Sequence, residues 1–168
     1  MFTLTAADGL PSDKVYAIIS DPAGGMWIGT DSGLAKYENG ALKTVFGKDD
    51  TRLPNRYIRD LAIAPDGTLL IGMFTGVASF DGSQVEVLLD VLKDGFSAVR
   101  LTCIAVSADG KIWAGTDKGL LETNDAGQWS LLTTKSGMLT NYISALYVDS
   151  SGALWVGGGG SNFDGGGI

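Results

Sequence analysis

One tetrapeptide pattern recurs four times along this chain, and its spacing constrains the fold more than any other feature. The four copies place their glycines at positions 29, 72, 115 and 157, so the steps between them are 43, 43 and 42 residues. A fixed period of this length predicts a stack of equivalent supersecondary units. The copies are Trp27-Ile28-Gly29-Thr30, Leu70-Ile71-Gly72-Met73, Trp113-Ala114-Gly115-Thr116 and Trp155-Val156-Gly157-Gly158.

The first unit is predicted to form four short strands. Residues 15–20 are an apolar run rich in β-branched side chains, too short for a helix, and Asp21-Pro22-Ala23-Gly24-Gly25 interrupts it. Strands over 26–30, 34–37 and 41–46 follow, separated by glycine-containing turns. Four short antiparallel strands in a unit of about 40 residues are typical of a β-propeller blade.

The sequence therefore predicts an all-β fold, a β-propeller of about four four-stranded blades with repeats of about 43 residues. The whole chain, 1–168, is predicted to be this single propeller. Its blades are expected at approximately 9–51, 52–95, 96–136 and 137–168, with residues 2–5 as an additional closing strand. An unpaired sheet edge invites aggregation, so closure is expected through the N-terminal strand or through self-association.

The tryptophans of the repeat have two interpretations. Trp27, Trp113 and Trp155 could form a platform on which a ligand stacks, but their fixed place in the second strand favours packing between blades.

Composition excludes several classes of function. The net charge of −7 argues against nucleic-acid binding and against docking on anionic lipid. The chain has no histidine, and Cys103 is its one cysteine, so the sequence predicts no metal site, no cofactor and no disulfide within the chain. No apolar stretch is long enough to insert into a membrane, and Met1-Phe2-Thr3-Leu4 does not begin a signal peptide, so the compartment stays open.

Several segments resemble the two-component regulator propeller repeat, which occurs in the sensor regions of bacterial hybrid histidine kinases and related regulators. Gly9-Leu10-Pro11-Ser12-Asp13, Leu53-Pro54-Asn55 and Gly137-Met138-Leu139-Thr140-Asn141 match the opening of its pattern, and the Trp-Gly-Thr strands match its centre. The third unit departs from it, with Phe96-Ser97-Ala98-Val99 where Leu-Pro-Ser-Asn is expected. Propellers of this family usually carry seven or more blades.

The resemblance implies a non-catalytic propeller that senses a ligand or binds a protein, in a periplasmic or other extracytoplasmic location. The alternative is a carbohydrate-active propeller that binds or cleaves glycans. Residues 123–129 resemble the aspartate-box turn of sialidases, and Asp13 and Asp60 are the central carboxylates that the overlay of the repeats suggests for such an enzyme. We predict that the chain is not an enzyme.

Candidate ligand-binding residues come from overlaying the leading strands, which line the axial channel of propellers. One level carries Asp13, Arg56, Val99 and Asn141, and the next carries Lys14, Tyr57, Arg100 and Tyr142. Cations and tyrosines around one opening could hold an anionic or sugar-like ligand, whereas a merely solvated mouth is the alternative. The predicted binding residues are Arg56, Tyr57, Arg59, Asp60, Arg100, Asn141 and Tyr142.

Arg59 and Asp60 are distinctive because the second unit alone places charges in its inner strand. Burying a charge is costly unless it is paired or faces water, so they either contact a ligand or pair structurally with neighbouring groups. The predicted partners of the chain are a small molecule or glycan, or a protein. Three arrangements are open: a four-bladed ring, two copies forming an eight-bladed homodimer, which we favour, or part of a larger propeller.

Overall fold

The computed structural model describes residues 3–96 and 99–159, so Phe2 of the predicted closing strand, Ser97 and Ala98 of the divergent segment, and residues 160–168 lie outside the described residues. Within these ranges the chain forms 14 strands and two short 3-10 helices. Within each sheet, strands that are consecutive in sequence pair antiparallel. The chain divides into two compact units, Met1–Asp90 and Val91–Ile168.

The first unit contains two four-stranded sheets, which we call blade 1 and blade 2. A 3-10 helix, Ala6–Asp8, precedes them. The strands of blade 1 are β1 (Val15–Ser20), β2 (Met26–Thr30), β3 (Gly33–Glu38) and β4 (Ala41–Phe46). Those of blade 2 are β5 (Ile58–Ile63), β6 (Leu69–Met73), β7 (Gly76–Phe80) and β8 (Val85–Asp90).

The second unit contains blade 3, with four strands, and blade 4, with two strands among the described residues. A 3-10 helix, Thr134–Ser136, lies between them. Blade 3 consists of β9 (Leu101–Val106), β10 (Ile112–Thr116), β11 (Leu120–Thr123) and β12 (Trp129–Leu132). Blade 4 consists of β13 (Ile143–Val148) and β14 (Leu154–Gly158).

The first hairpin turn of each repeat ends in a glycine that keeps the chain reversal tight. Gly67, Gly110 and Gly152 have φ of 90°, 86° and 85°. These are left-handed conformations that L side chains rarely adopt, which explains why glycine recurs there every 42 or 43 residues.

The core lies between consecutive sheets of each unit. In the first unit Trp27 and Phe46 pack with Leu69, Ile71 and Phe80, so blade 1 rests on blade 2. In the second unit Trp113 and Leu120 pack with Ile143, and Leu146 and Val156 lie against the same cluster. The prediction that the repeated tryptophan packs between blades holds for Trp27 and Trp113, which are 7% and 8% exposed.

Residues 3–5, predicted as part of a closing strand, lie outside the assigned strands and lead into the 3-10 helix Ala6–Asp8. Leu4 packs with Leu10 against Ile28 and Ala35 of blade 1. Closure of a ring therefore stays a prediction.

Candidate functional site

A β-bulge interrupts the first strand of every blade at the same place. The register shifts between Val15 and Ala17 in blade 1 and between Ile58 and Asp60 in blade 2, and blades 3 and 4 repeat this. A bulge leaves one residue outside the ladder and re-aims its side chain, and bulges are common beside binding sites. The four bulged residues are Tyr16, Arg59, Thr102 and Ser144.

In the first unit the bulges bring together a group of four side chains, Tyr16, Tyr57, Arg59 and Phe74, which we call the aromatic–arginine cluster. The guanidinium carbon of Arg59 lies 5.2 Å from the ring centre of Tyr16 and 5.5 Å from that of Tyr57. The ring centres of Tyr16 and Tyr57 are 4.9 Å apart. Phe74 stacks on Tyr57 at 5.5 Å, with the ring planes only 11° apart. The guanidinium is therefore in contact with two aromatic rings, and a third ring extends the surface.

The stacked pair of blade 2 replaces an ion pair found in the neighbouring repeats. In every blade, the backbone N–H of the residue that follows the second strand donates a hydrogen bond to the carbonyl of the residue that directly precedes the first strand. In blade 2 this bond joins Phe74 to Tyr57 at 2.8 Å. The equivalent side chains are Lys14 and Asp31 in blade 1, which pair at 3.7 Å. In blade 3 they are Arg100 and Asp117, which pair at 3.9 Å. Blade 2 keeps the backbone geometry but exchanges the charge pair for two aromatic rings.

Arg59 has an electrostatic environment that suits an anion. Its Nη1 donates a hydrogen bond of 3.3 Å to the Tyr57 hydroxyl, while its buried Nε–H has no hydrogen-bond partner among the described residues. Within the same described ranges no carboxylate forms an ion pair with Arg59. A partly buried cation without a counter-ion is costly, and a bound anion would remove that cost.

The tyrosines of the cluster influence each other's ionisation. The pKa of Tyr57 lies below its usual value because the Tyr16 hydroxyl, and then Arg59, stabilise the phenolate. The pKa of Tyr16 is raised, chiefly through its hydrogen bond to Tyr57. Arg59 lowers the pKa of Tyr57 and the nearby Asp31 carboxylate opposes that effect, so the Tyr57 hydroxyl lies within reach of both charges.

The other predicted site residues of the first unit differ in their environment. Arg56 is exposed and directly precedes Tyr57. Asp60 is half-buried, is paired in the ladder with Gly72, and accepts a 2.9 Å hydrogen bond from the Leu61 backbone N–H. The bulge falls at Arg59, whereas Asp60 keeps its place in the ladder. Asp13 accepts a hydrogen bond from the Ala6 backbone N–H at 2.6 Å, which anchors the first 3-10 helix.

The predicted site residues of the second unit are tied to local structure. Arg100 is exposed, and its backbone N–H donates to Asp117 at 2.8 Å. The Asn141 side-chain oxygen accepts a 2.7 Å hydrogen bond from the Thr134 N–H, as Asp13 does from Ala6 in the equivalent repeat. Tyr142 is exposed, whereas Val99 is buried. The structure thus groups Tyr57 and Arg59 in one cluster and gives Asn141 a turn-stabilising contact.

Sequence reasoning did not include Tyr16 and Phe74 among the binding residues. The sequence did contain a signal for Tyr16, because Tyr16 and Arg59 are 43 residues apart and therefore occupy equivalent positions of consecutive repeats. Equivalent residues of consecutive repeats lie close together in adjacent blades. Among the described residues no group of three or more His, Cys, Asp or Glu side chains could hold a metal ion. In the same part of the chain, no helix is long and apolar enough to cross a membrane.

Comparison with known families confirms the resemblance of the repeats. Residues 9–32 and 137–160 each match the family model described as two component regulator propeller. The two matched segments begin at Gly9-Leu10-Pro11 and Gly137-Met138-Leu139, and each includes a Trp-x-Gly motif. No curated protein matches the chain.

Solved structures show the same fold at low sequence identity. The extracellular domain of a putative one component system from B. thetaiotaomicron aligns with a TM-score of 0.75 and 22% identity, over 93% of this chain and 22% of that one. The extracellular domain of a putative hybrid two component system from the same organism gives 0.77 and 18%, again over 93% and 22%. Virginiamycin B lyase from Staphylococcus aureus gives 0.63 and 18%, over 85% of this chain and 48% of the lyase.

These likenesses confirm the all-β propeller fold class. The chain spans less than a quarter of the length of the two extracellular domains that it resembles.

Proposed function

We propose that this chain is a non-catalytic sensing propeller and that the aromatic–arginine cluster, formed by blades 1 and 2, is its ligand site. The observation that carries the proposal is the exchange, in blade 2, of the ion pair of the neighbouring repeats for stacked Tyr57 and Phe74 beside Arg59. Within residues 3–96 and 99–159, Arg59 forms no ion pair and its Nε–H has no hydrogen-bond partner. The likeness to extracellular domains of one component and two component systems supports a sensing role and an extracytoplasmic location.

The chemistry of the cluster favours an acidic sugar as the ligand. A guanidinium binds a carboxylate through charge-assisted, directional hydrogen bonds. Stacked aromatic rings offer a flat apolar surface that fits the C–H face of a pyranose ring. A uronic acid or a short uronate oligosaccharide combines a carboxylate with such a face and so satisfies both parts of the cluster.

The residues present argue against catalysis. The 168 residues contain no histidine, and a variant of virginiamycin B lyase with one histidine replaced by alanine is described as catalytically inactive. Asp13 and Asp60, the carboxylates considered for glycoside cleavage, each accept a backbone hydrogen bond, Asp13 from Ala6 of the first 3-10 helix and Asp60 from Leu61. These contacts give both carboxylates structural roles in the first unit.

Calorimetric titration with digalacturonate tests the proposal. We expect Arg59→Gln to weaken binding by more than about tenfold, since a hydrogen bond to a charged group contributes about 1.5–3 kcal/mol. Arg56→Ala, at the exposed neighbouring position, should weaken binding less. Lys48→Gln, which removes a cation from an exposed loop, is the matched control and should bind like the unaltered chain.

A double variant separates loss of the site from loss of the fold. Tyr57→Lys with Phe74→Asp installs in blade 2 the ion pair that blade 1 forms with Lys14 and Asp31, so the sheet should fold normally. It should not bind digalacturonate. Neutral galactobiose should bind the unaltered chain more weakly, because the guanidinium then lacks its carboxylate. Equal binding by the double variant, or no binding by the unaltered chain, would refute the proposal.

A further inference from the structure

Each unit contains one blade-on-blade interface, and the two are built from equivalent residues. In the first unit the tryptophan face of blade 1, carrying Trp27, packs on Leu61, Leu69 and Ile71 of blade 2. In the second unit the tryptophan face of blade 3, carrying Trp113, packs on Leu146, Leu154 and Val156 of blade 4. The receiving residues occupy the same positions of the repeat in both cases.

The glycine of the Trp-x-Gly pattern is required by this packing. A Cβ at Gly29 would lie 2.6 Å from Ile58 Cγ2, and a Cβ at Gly115 would lie 2.8 Å from Ile143 Cγ2. Both distances are far below van der Waals contact, so only glycine lets the first residue of the next blade approach. In both units, glycine therefore occupies the point of the tryptophan face against which the next blade packs.

Blade 4 presents the same tryptophan face without a blade upon it among the described residues. Trp155 and Tyr147, which pair across the two strands, are 51% and 66% exposed. The indole N–H of Trp155 donates a 2.7 Å hydrogen bond to Asp149, which holds the ring in place. Gly157 keeps the repeat glycine, although among residues 3–96 and 99–159 a Cβ there would meet, within 4 Å, only Ala145 of its own sheet.

Blade 1 presents the complementary receiving face. Val15, Ile18 and Met26 occupy the positions that Ile58, Leu61 and Leu69 occupy in blade 2, and all three are exposed, Ile18 by 63%. Leu10 covers the outer part of this face. Its equivalents Leu53 and Met138 lie at the edges of the two internal interfaces.

We propose that the tryptophan face of blade 4, formed by Ala145, Tyr147, Trp155 and Gly157, packs on the receiving face of blade 1 of a second copy of this chain. The two faces are the halves of an interface that the chain already forms twice, so the second copy provides the partner with matching residues and spacing. The contact is heterologous, joining different surfaces of the two copies. It does not depend on ligand binding at the aromatic–arginine cluster.

Complementation between two variants tests this interface. Analytical ultracentrifugation of the unaltered chain should show a mass of at least twice the 17.5 kDa of one copy. Trp155→Asp and Ile18→Asp should each sediment as single copies. Mixed in equal amounts they should form a dimer, because one variant keeps its receiving face and the other keeps its tryptophan face. Leu139→Asp, at an exposed leucine outside both faces, should associate like the unaltered chain.

Each other outcome overturns the proposal. A single-copy mass at concentrations up to about 100 µM would show that the faces do not bind each other with micromolar affinity. Association of Ile18→Asp alone would indicate a symmetric contact between two blade 4 faces, and a mixture that stays monomeric would refute complementarity. The milder variants Trp155→Gln and Ile18→Thr, with far-ultraviolet circular dichroism, exclude unfolding as the cause of any loss.

Discussion

Two tryptophans at equivalent positions of the second unit should differ sharply in what they contribute to stability. Trp113 is 8% exposed and packs against Ile143 of blade 4, with the Lys111 ammonium 5.2 Å from its ring centre. Trp155 is 51% exposed. Replacing each by alanine therefore compares a core truncation with a surface truncation in one repeat context.

The expected free-energy costs follow from the burial. A buried tryptophan removes about 200 Å² from water, worth about 5 kcal/mol at about 25 cal/mol per Å². Core Trp→Ala replacements cost about 3–5 kcal/mol once the cavity is included, and we expect Trp113→Ala to fall in this range. Trp155 buries about half as much and leaves no enclosed cavity, so Trp155→Ala should cost about 1–2 kcal/mol.

Urea unfolding followed by far-ultraviolet circular dichroism measures both costs without relying on tryptophan fluorescence. The protein should be dilute, so that association through the tryptophan face of blade 4 does not add to the stability of the unaltered chain. Equal costs for the two variants, or a cost below about 1 kcal/mol for Trp113→Ala, would refute the packing role assigned to the repeated tryptophan.

Three further predictions follow from single contacts. Gly115→Ala should destabilise the chain by about 1–3 kcal/mol through overpacking against the next blade, whereas Gly157→Ala should be nearly neutral in dilute protein; equal urea midpoints would contradict this. Hydrogen bonds from Ser151 and then Trp155 lower the pKa of Asp149 from 3.8 to about 2, so its stabilising effect is complete above about pH 4 and is lost toward pH 2. Asp149→Asn should flatten the dependence of the urea midpoint on pH in that interval, and an unchanged slope would refute the assignment. Ultraviolet titration of the phenols should show that the pKa of Tyr57 lies below its usual value, and Tyr16→Phe should raise that pKa. An unchanged pKa of Tyr57 in this variant would mean that the two hydroxyls do not interact.

The repeat made the sheets predictable, because its turns and apolar runs fix the strands locally. It also predicted the packing of Trp27 and Trp113, which needs only equivalence between consecutive repeats. The exposure of Trp155 was not predictable in this way, since burial depends on whether another blade lies upon it.

The candidate site was predictable only in part. Tyr57 and Arg59 were expected from their chemistry, but the contact between Arg59 and Tyr16 depends on a bulge that sequence overlay treats as a regular strand. Asn141 was expected to bind a ligand, but its side chain accepts a hydrogen bond from the Thr134 backbone N–H. That residue lies seven positions away, so the contact is not evident in the sequence pattern. The same polar residue types stabilise turns and bind ligands, so the sequence alone does not distinguish the two roles.

Amide NMR spectra of the chain during titration with digalacturonate test the central claim most directly. If the aromatic–arginine cluster is the ligand site, the largest shifts should appear at Tyr16, Tyr57, Arg59 and Phe74, while residues 134–142 stay unchanged. Saturable shifts centred on residues 134–142, or no shifts at all, would contradict the assignment of ligand binding to the aromatic–arginine cluster.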